Sequence, residues 1–114
     1  VHGGGMIMNN LSHFNRIIAR HVSGSGVPFL AVEYRKAPEY PAPRPVEDCY
    51  EGLVWMVAHA EELGVAPARI AVMGDSAGGG LAAAVTIIAR DRSGPAIARQ
   101  ILLYPMLDDR NTVP

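Results

Sequence analysis

The first hydrophobic pattern along the chain has the period of an α-helix. Four apolar positions fall on one face of the predicted helix: Phe14, Ile17, Ile18 and Val22. Ser12 stands where a helix-capping side chain is expected, and Gly24 stands where the helix is expected to end. Residues 27–34 form a short apolar run between a glycine and a proline-rich stretch, and this run predicts a buried strand.

A second helical pattern begins inside the proline-rich stretch. Proline is tolerated at the first helical position and acidic residues suit the positive end of a helix, so Pro45, Glu47 and Asp48 predict a helix start. Its inner face is predicted to hold Val46, Cys49, Leu53, Val57 and Ala60. Gly64 followed by Pro67 predicts its end.

Two further strands and a central helix complete the pattern. Residues 70–73 and 101–104 are short apolar runs that predict strands, and residues 77–90 predict a helix that is apolar nearly all round and hence central. Strands that alternate with helices of this length imply crossover connections and a parallel sheet. The predicted fold class is therefore α/β, a parallel sheet with flanking helices, over one domain.

Composition excludes several classes of protein. The chain is 49% hydrophobic, and its ten basic and eleven acidic residues are mixed along the sequence, so it has no basic stripe for nucleic acid. Its longest apolar stretch, residues 78–89, is shorter than the ~20 residues that a membrane-spanning helix needs. The single cysteine, Cys49, excludes an internal disulfide and a multi-cysteine metal site, and we expect it to be a buried, inert thiol.

The most informative motif lies between the second strand and the central helix. Residues 74–78 read G-x-S-x-G, which places Ser76 in a tight, strained strand-to-helix turn that projects its hydroxyl away from the sheet. Glycine on either side removes side chains that would collide there. The following helix directs its first N–H groups and its positive end at the site where an oxyanion would form, which makes the Ala77 N–H a natural donor.

A second motif is the run His2-Gly3-Gly4-Gly5. Consecutive glycines let the backbone turn sharply and bring bare N–H groups close to a reacting carbonyl. A serine elbow combined with a His-Gly-Gly-Gly loop is typical of lipases and esterases. Together, around strand–helix units, the two motifs indicate nucleophilic acyl transfer.

These motifs resemble those of the hormone-sensitive-lipase-like esterases (bacterial family IV) of the α/β-hydrolase fold. The similarity extends to Tyr34-Arg35-x-Ala37-Pro38-Glu39, Glu47-Asp48-Cys49 and Leu103-Tyr104-Pro105. The resemblance implies that Ser76 is the nucleophile and that the N–H groups of Gly4, Gly5 and Ala77 form the oxyanion hole. It further implies a small-molecule carboxylic ester as substrate and an acyl-enzyme route without cofactor or metal.

The resemblance also implies a catalytic aspartate and then a histidine after the nucleophile. No histidine follows His59, so the base is expected outside these 114 residues, and the helical histidines 13, 21 and 59 are expected to be ordinary surface or boundary residues. His2 is expected to hold the glycines through its ring nitrogens. Asp108 and Asp109 follow the third strand, where a few hydrolases of this fold place the acid, but the resemblance places it later and a solvated turn is the alternative.

Four other polar residues are expected to have structural roles. Asp75 is expected to cap the central helix, and Arg35 is expected to pair with Glu39 and fix the proline-rich loop. Lys36 stands where the family usually has an apolar residue, and we interpret it as a surface change.

The glycine loop follows directly on Val1, so we interpret the chain as a partial domain that lacks N-terminal strands and a cap as well as the acid and histidine region. The resemblance to hydrolases implies that the strand before the loop lies between residues 27–34 and 70–73, so its absence would leave a gap in the sheet. The 114 residues alone are therefore expected to aggregate and to have little esterase activity. A missing signal peptide carries no information on such a chain, and a cytoplasmic location is the default expectation.

Two other functions fit part of the sequence. Residues 78–83 match the dinucleotide-binding pattern G-x-G-x-x-A, but they lie inside the helix and not at the strand-to-helix turn, which argues against that function. Gibberellin receptors resemble the same esterase family but lack the catalytic histidine and bind a hormone. Because the position of that histidine is not in the sequence, a non-catalytic hormone receptor remains an alternative. The sequence makes no prediction of oligomeric state.

Overall fold

The computed structural model describes residues 1–110. Its helices are α1 (Leu11–Ser25), α2 (Arg44–Ala58), α3 (Ala60–Leu63) and α4 (Ala77–Asp91), and its strands are β1 (Ala71–Asp75) and β2 (Arg99–Leu103). β1 and β2 pair in parallel, with Ala71 opposite Arg99 and Asp75 opposite Leu103. Helix α4 is the crossover between them and packs on both strands and on α2. The predicted α/β class is confirmed, as are the strand–helix–strand order and the central position of α4.

Helix α1 has different ends from those predicted. The Asn10 side chain accepts a hydrogen bond from Ser12 N at 3.0 Å, and His13 Nδ1 accepts one from Asn10 N at 3.3 Å, which closes a capping box. The helix ends at Gly26, whose φ of 68° is the left-handed conformation that glycine tolerates. The predictions of Ser12 as cap and Gly24 as end were therefore wrong. Helix α1 has no buried residue within the described chain, so its predicted inner face is only partly covered.

Residues 27–34 do not form the predicted strand within residues 1–110. Val1 lies beside β1, on the side where the strand before the glycine loop is expected, and Val1 N donates to Met73 O at 2.6 Å. A strand forms only by exchanging backbone hydrogen bonds with a neighbour, and the described residues supply none to this segment. Its first residues are consequently exposed, and only Tyr34 at its end is fully buried.

Helix α2 begins one residue before Pro45 and buries Cys49 and Leu53 against α4. The predicted single helix is broken at His59, after which α3 continues to Gly64 at a φ of 66°. The core between α2, α4 and β1 consists of Tyr34, Cys49, Leu53, Ile70, Leu81, Val85 and Ala89.

The proline-rich loop is fixed to α2 by an ion pair different from the one predicted. Arg35 donates from Nε and from its backbone N to Asp48 Oδ2 at 2.9 and 2.8 Å, and it does not bond Glu39 among the described residues. The hydrogen bonds from the Arg35 guanidinium lower the pKa of Asp48 more than burial raises it, so this pKa lies below its usual value. Asp48 lies in α2, so its pairing with Arg35 joins the loop to that helix. Glu39 lies on the same loop as Arg35.

Cys49 provides a test of this core. It is fully buried, and burial raises the pKa of its thiol to about 12, so the reactive thiolate is scarce at neutral pH. In the native whole protein at about pH 8, we expect iodoacetamide to leave Cys49 unmodified, and after unfolding in urea we expect complete alkylation. Peptide mass spectrometry measures both. Equal rates of alkylation in the two states would contradict this placement of α2.

Candidate active site

Ser76 occupies the tight turn between β1 and α4. Its φ and ψ are 53° and −120°, a conformation that costs a residue with a side chain about 1–3 kcal/mol. The backbone around it supplies three hydrogen bonds: Ser76 N donates to Leu103 O at 2.9 Å, and Ser76 O accepts from Gly80 N at 3.1 Å and Met106 N at 2.9 Å. The hydroxyl itself has no hydrogen-bond partner within residues 1–110. The turn is therefore held rigidly while its side chain stays available.

The glycines around this turn are required by close backbone contacts. A Cβ atom on Gly74 would lie 2.1 Å from Gly78 O, and one on Gly78 would lie 2.3 Å from Val1 O. Real Cβ atoms do not approach an oxygen so closely, and backbone cannot move aside as a flexible side chain can. These contacts are the collisions that the sequence pattern predicts at the elbow.

The glycine loop folds tightly on itself. Gly4 has a φ of 125° and Gly5 a φ of 62°, and the Gly4 carbonyl accepts from Ile7 N at 3.1 Å and Met8 N at 3.0 Å. Both conformations favour glycine. The N–H groups of Gly4, Gly5 and Ala77 donate to no acceptor within residues 1–110. These are the three N–H groups that the family resemblance predicts as oxyanion-hole donors.

Asp75 joins the glycine loop to the elbow. Its Oδ1 accepts from Gly3 N at 3.1 Å, and a Cβ atom on Gly3 would lie 2.5 Å from Asp75 Oδ2. The loop thus reaches the residue next to Ser76. The prediction that Asp75 caps α4 was wrong: Asp75 ends β1, Ser76 holds the N-cap position, and no side-chain bond caps the helix.

His2 holds the loop from its other side. The ring is buried, with 4% of the residue exposed, and its Nδ1 lies 2.8 Å from Gly3 O. It stacks on Tyr34 at 4.4 Å between ring centroids, and Tyr34 Oη donates to His2 O at 2.8 Å. Burial raises the pKa of Tyr34 well above its usual value, so the phenol stays neutral and keeps donating. These contacts agree with the structural role expected for His2.

The remaining candidates lie elsewhere. None of the other three histidines bonds Ser76 among the described residues: His13 caps α1, His21 stacks on Phe29, and His59 Nδ1 lies 2.8 Å from Trp55 O. Asp108 is exposed and accepts hydrogen bonds from Arg110, as in the solvated-turn alternative. Within residues 1–110, no group of three or more His, Cys, Asp or Glu residues is arranged to hold a metal ion.

The interpretation of Lys36 as a surface change was wrong. Only 18% of its side chain is exposed, its Nζ donates to Tyr34 O at 2.9 Å, and it pairs with Glu33. Sequence reasoning gave Glu33 no role at all. The available signal was the opposite charge of the two residues at a spacing of three, on either side of the family motif's first residues, Tyr34 and Arg35.

Comparisons with known proteins identify the family of this fold. A family model described as alpha/beta hydrolase fold matches residues 1–114. Esterase LipI of Mycobacterium tuberculosis is 41% identical over 104 residues, which cover 91% of this chain and 32% of LipI.

Solved structures of esterases are equally similar. A bacterial heroin esterase superposes with a TM-score of 0.94 at 46% identity, covering 98% of this chain and 35% of that one. EstE1, a thermostable carboxylesterase cloned from a metagenomic library, superposes with a TM-score of 0.93 at 42% identity, covering 99% and 38%. The chain thus spans about a third of the length of the relatives it matches.

No helix within residues 1–110 has the length and apolar character needed to cross a membrane. The match over all 114 residues and the likeness to these esterases lead to one conclusion: the chain belongs to the α/β-hydrolase fold family, among the hormone-sensitive-lipase-like esterases that its motifs resemble.

Proposed function

We propose that the whole protein is a carboxylic ester hydrolase with Ser76 as its nucleophile. The observation that carries this proposal is the hydroxyl of Ser76, held at a φ of 53° without a hydrogen-bond partner in the described chain, next to a loop with unpaired N–H groups. LipI, the heroin esterase and EstE1 are all named as esterases, which supports the same reaction class.

The proposed reaction is acyl transfer through a covalent intermediate. Ser76 Oγ attacks the ester carbonyl while a histidine elsewhere in the whole protein accepts its proton. The N–H groups of Gly4, Gly5 and Ala77 stabilise the oxyanion, at about 3 kcal/mol for each donor. The tetrahedral intermediate collapses, the alcohol leaves with the proton from that histidine, and water then attacks the acyl-enzyme to release the carboxylic acid.

We also propose that residues 1–114 are the part of the domain that supplies the nucleophile and the oxyanion donors. On this proposal the 114-residue polypeptide by itself turns over little or no ester, because a general base for Ser76 is absent from it.

Hydrolysis of 4-nitrophenyl butyrate by the whole protein tests the proposal. An acyl-enzyme route predicts saturable release of 4-nitrophenol, with an initial burst wherever deacylation limits turnover. A non-catalytic receptor of the same fold would bind small molecules without releasing 4-nitrophenol. No release above the uncatalysed rate would overturn the proposed function.

Asp75 gives a separate prediction through its bond to Gly3 N. We expect Asp75→Ala to lower kcat about tenfold with little change in KM, because the glycine loop loses its anchor beside the elbow and its donors are aimed less well. Asp75→Asn keeps an oxygen acceptor and should retain most of the activity. Asp91→Ala, which removes an exposed carboxylate paired with Arg90, is the control. Steady-state kinetics with equal rates for Asp75→Ala and this control would contradict the anchoring role.

A further inference from the structure

A cluster of charged side chains lies against the His2 ring and has no part in the mechanism above. Glu33 Oε1 is 3.7 Å from His2 Nε2, and Lys36 Nζ contacts the same carboxylate oxygen. Glu33 Oε2 accepts from Leu11 N at 2.6 Å, and Lys36 Nζ donates to Tyr34 O at 2.9 Å. One carboxylate therefore touches residue 2, the start of α1 and residue 36.

The Glu33 carboxylate lies at the Nε2 edge of the His2 ring. A carbonyl only accepts, so the contact with Gly3 O places a proton on Nδ1. Nε2 is buried without a hydrogen-bond partner within residues 1–110, and the Glu33 carboxylate is the charged group beside it. Lys36 Nζ and Leu11 N hold that carboxylate in place, so the edge of the ring packs against a side chain that two contacts fix.

The pair is partly shielded from solvent. The side chain of Lys36 is 18% exposed and that of Glu33 is 43% exposed, so their attraction is screened less than that of a fully exposed pair. Burial alone would raise the pKa of Glu33, but hydrogen bonds from Lys36 and from Leu11 N outweigh it and hold this pKa below its usual value. Glu33 is accordingly a carboxylate at neutral pH.

We propose that Glu33 and Lys36 are positioning residues for the glycine loop: Lys36 holds the Glu33 carboxylate at the Nε2 edge of His2, and this fixes the ring whose Nδ1 holds Gly3. The consequence for activity rests on the proposed function, because it requires the loop to supply oxyanion donors. The positioning of the loop is independent of the proposed function, because it concerns only how firmly residues 2–5 are held.

Lys36→Met in the whole protein tests the proposal, because it keeps the apolar part of the side chain and removes the charge. We expect kcat for 4-nitrophenyl butyrate to fall about tenfold with KM within about twofold, since misaimed donors weaken binding of the transition state more than of the substrate. Phenylboronic acid, whose tetrahedral adduct places an oxygen among the same donors, should lose affinity by a similar factor. Hydrogen exchange in a peptide spanning residues 2–8 should become faster, and Lys36→Arg should restore all three values.

Arg92→Met is the matched control. It too removes one cation from an ion pair, since Arg92 contacts Glu47 at 2.6 Å and lies over the ring of Tyr50. We expect it to leave kcat and exchange in residues 2–8 unchanged. Lys36→Met values equal to those of this control, or a change in KM alone with unchanged exchange, would overturn the proposal. A whole protein that hydrolyses no ester would refute the proposed function, while the exchange measurement would still decide the positioning role.

Discussion

Replacing Ser76 with alanine is expected to lower kcat for ester hydrolysis by about 10⁴-fold or more, with little change in KM. The reason is chemical and not structural. Alanine keeps a Cβ atom in the same strained conformation, so the backbone bonds to Leu103, Gly80 and Met106 are preserved and only the attacking oxygen is lost. Steady-state kinetics with 4-nitrophenyl butyrate and a thermal melt of each protein measure the two effects.

Ser93→Ala is the matched control for this substitution. Ser93 is also a serine at positive φ, 52°, but it lies just beyond α4 and away from the elbow. Its replacement should leave kcat within about twofold of wild type, as expected for a surface position. A Ser76→Ala protein that kept more than a tenth of the wild-type rate would contradict the assignment of the nucleophile.

Adding one methyl group at Gly74 is expected to have the second largest effect. The new Cβ would lie 2.1 Å from Gly78 O, a backbone atom in the first turn of α4, so relief requires β1 and α4 to separate. We expect Gly74→Ala to lower the free energy of unfolding by about 3 kcal/mol. We also expect more than a tenfold loss of kcat, because the elbow moves with these elements. Urea unfolding of the whole protein, followed by circular dichroism, measures the stability.

Gly24→Ala is the control that separates collision from any general effect of removing glycine. Gly24 lies in α1, and a Cβ atom there would meet nothing within 4 Å. Alanine favours a helix over glycine by up to about 1 kcal/mol, so this variant should be as stable as wild type or more so. If Gly74→Ala were also tolerated, the described contact between β1 and α4 would be wrong.

Local patterns predicted the elements that position the site. The apolar runs around residues 70–73 and 101–104 and the helix after Ser76 lie within two residues of the strands and helix observed. The elbow could be predicted for the same reason: its geometry depends on a few consecutive residues, and Gly74 prevents a collision with Gly78 O inside the motif itself. Such features require little knowledge of the distant chain.

Features that depend on distant partners were not predictable in the same way. Residues 27–34 have a strand's composition, but a strand also needs a neighbour, and composition does not show whether one is present. Arg35 could pair with a nearby or a distant carboxylate, and the choice of Asp48 follows from where α2 lies. Asp75 was misjudged because its partner, Gly3, is distant in the sequence and meets it only after folding. Lys36 pairs with a nearby residue, Glu33, but the partial burial of this pair follows from its packing against His2 and the start of α1.

Covalent labelling of the whole protein with a fluorophosphonate, followed by peptide mass spectrometry, tests the central assignment most directly. We predict one phosphonyl group per molecule, on Ser76, with ester hydrolysis lost in proportion to labelling, because phosphonylation needs an activated serine and oxyanion donors together. Loss of hydrolysis with the label on another residue, or hydrolysis that persists while Ser76 is fully labelled, would contradict it.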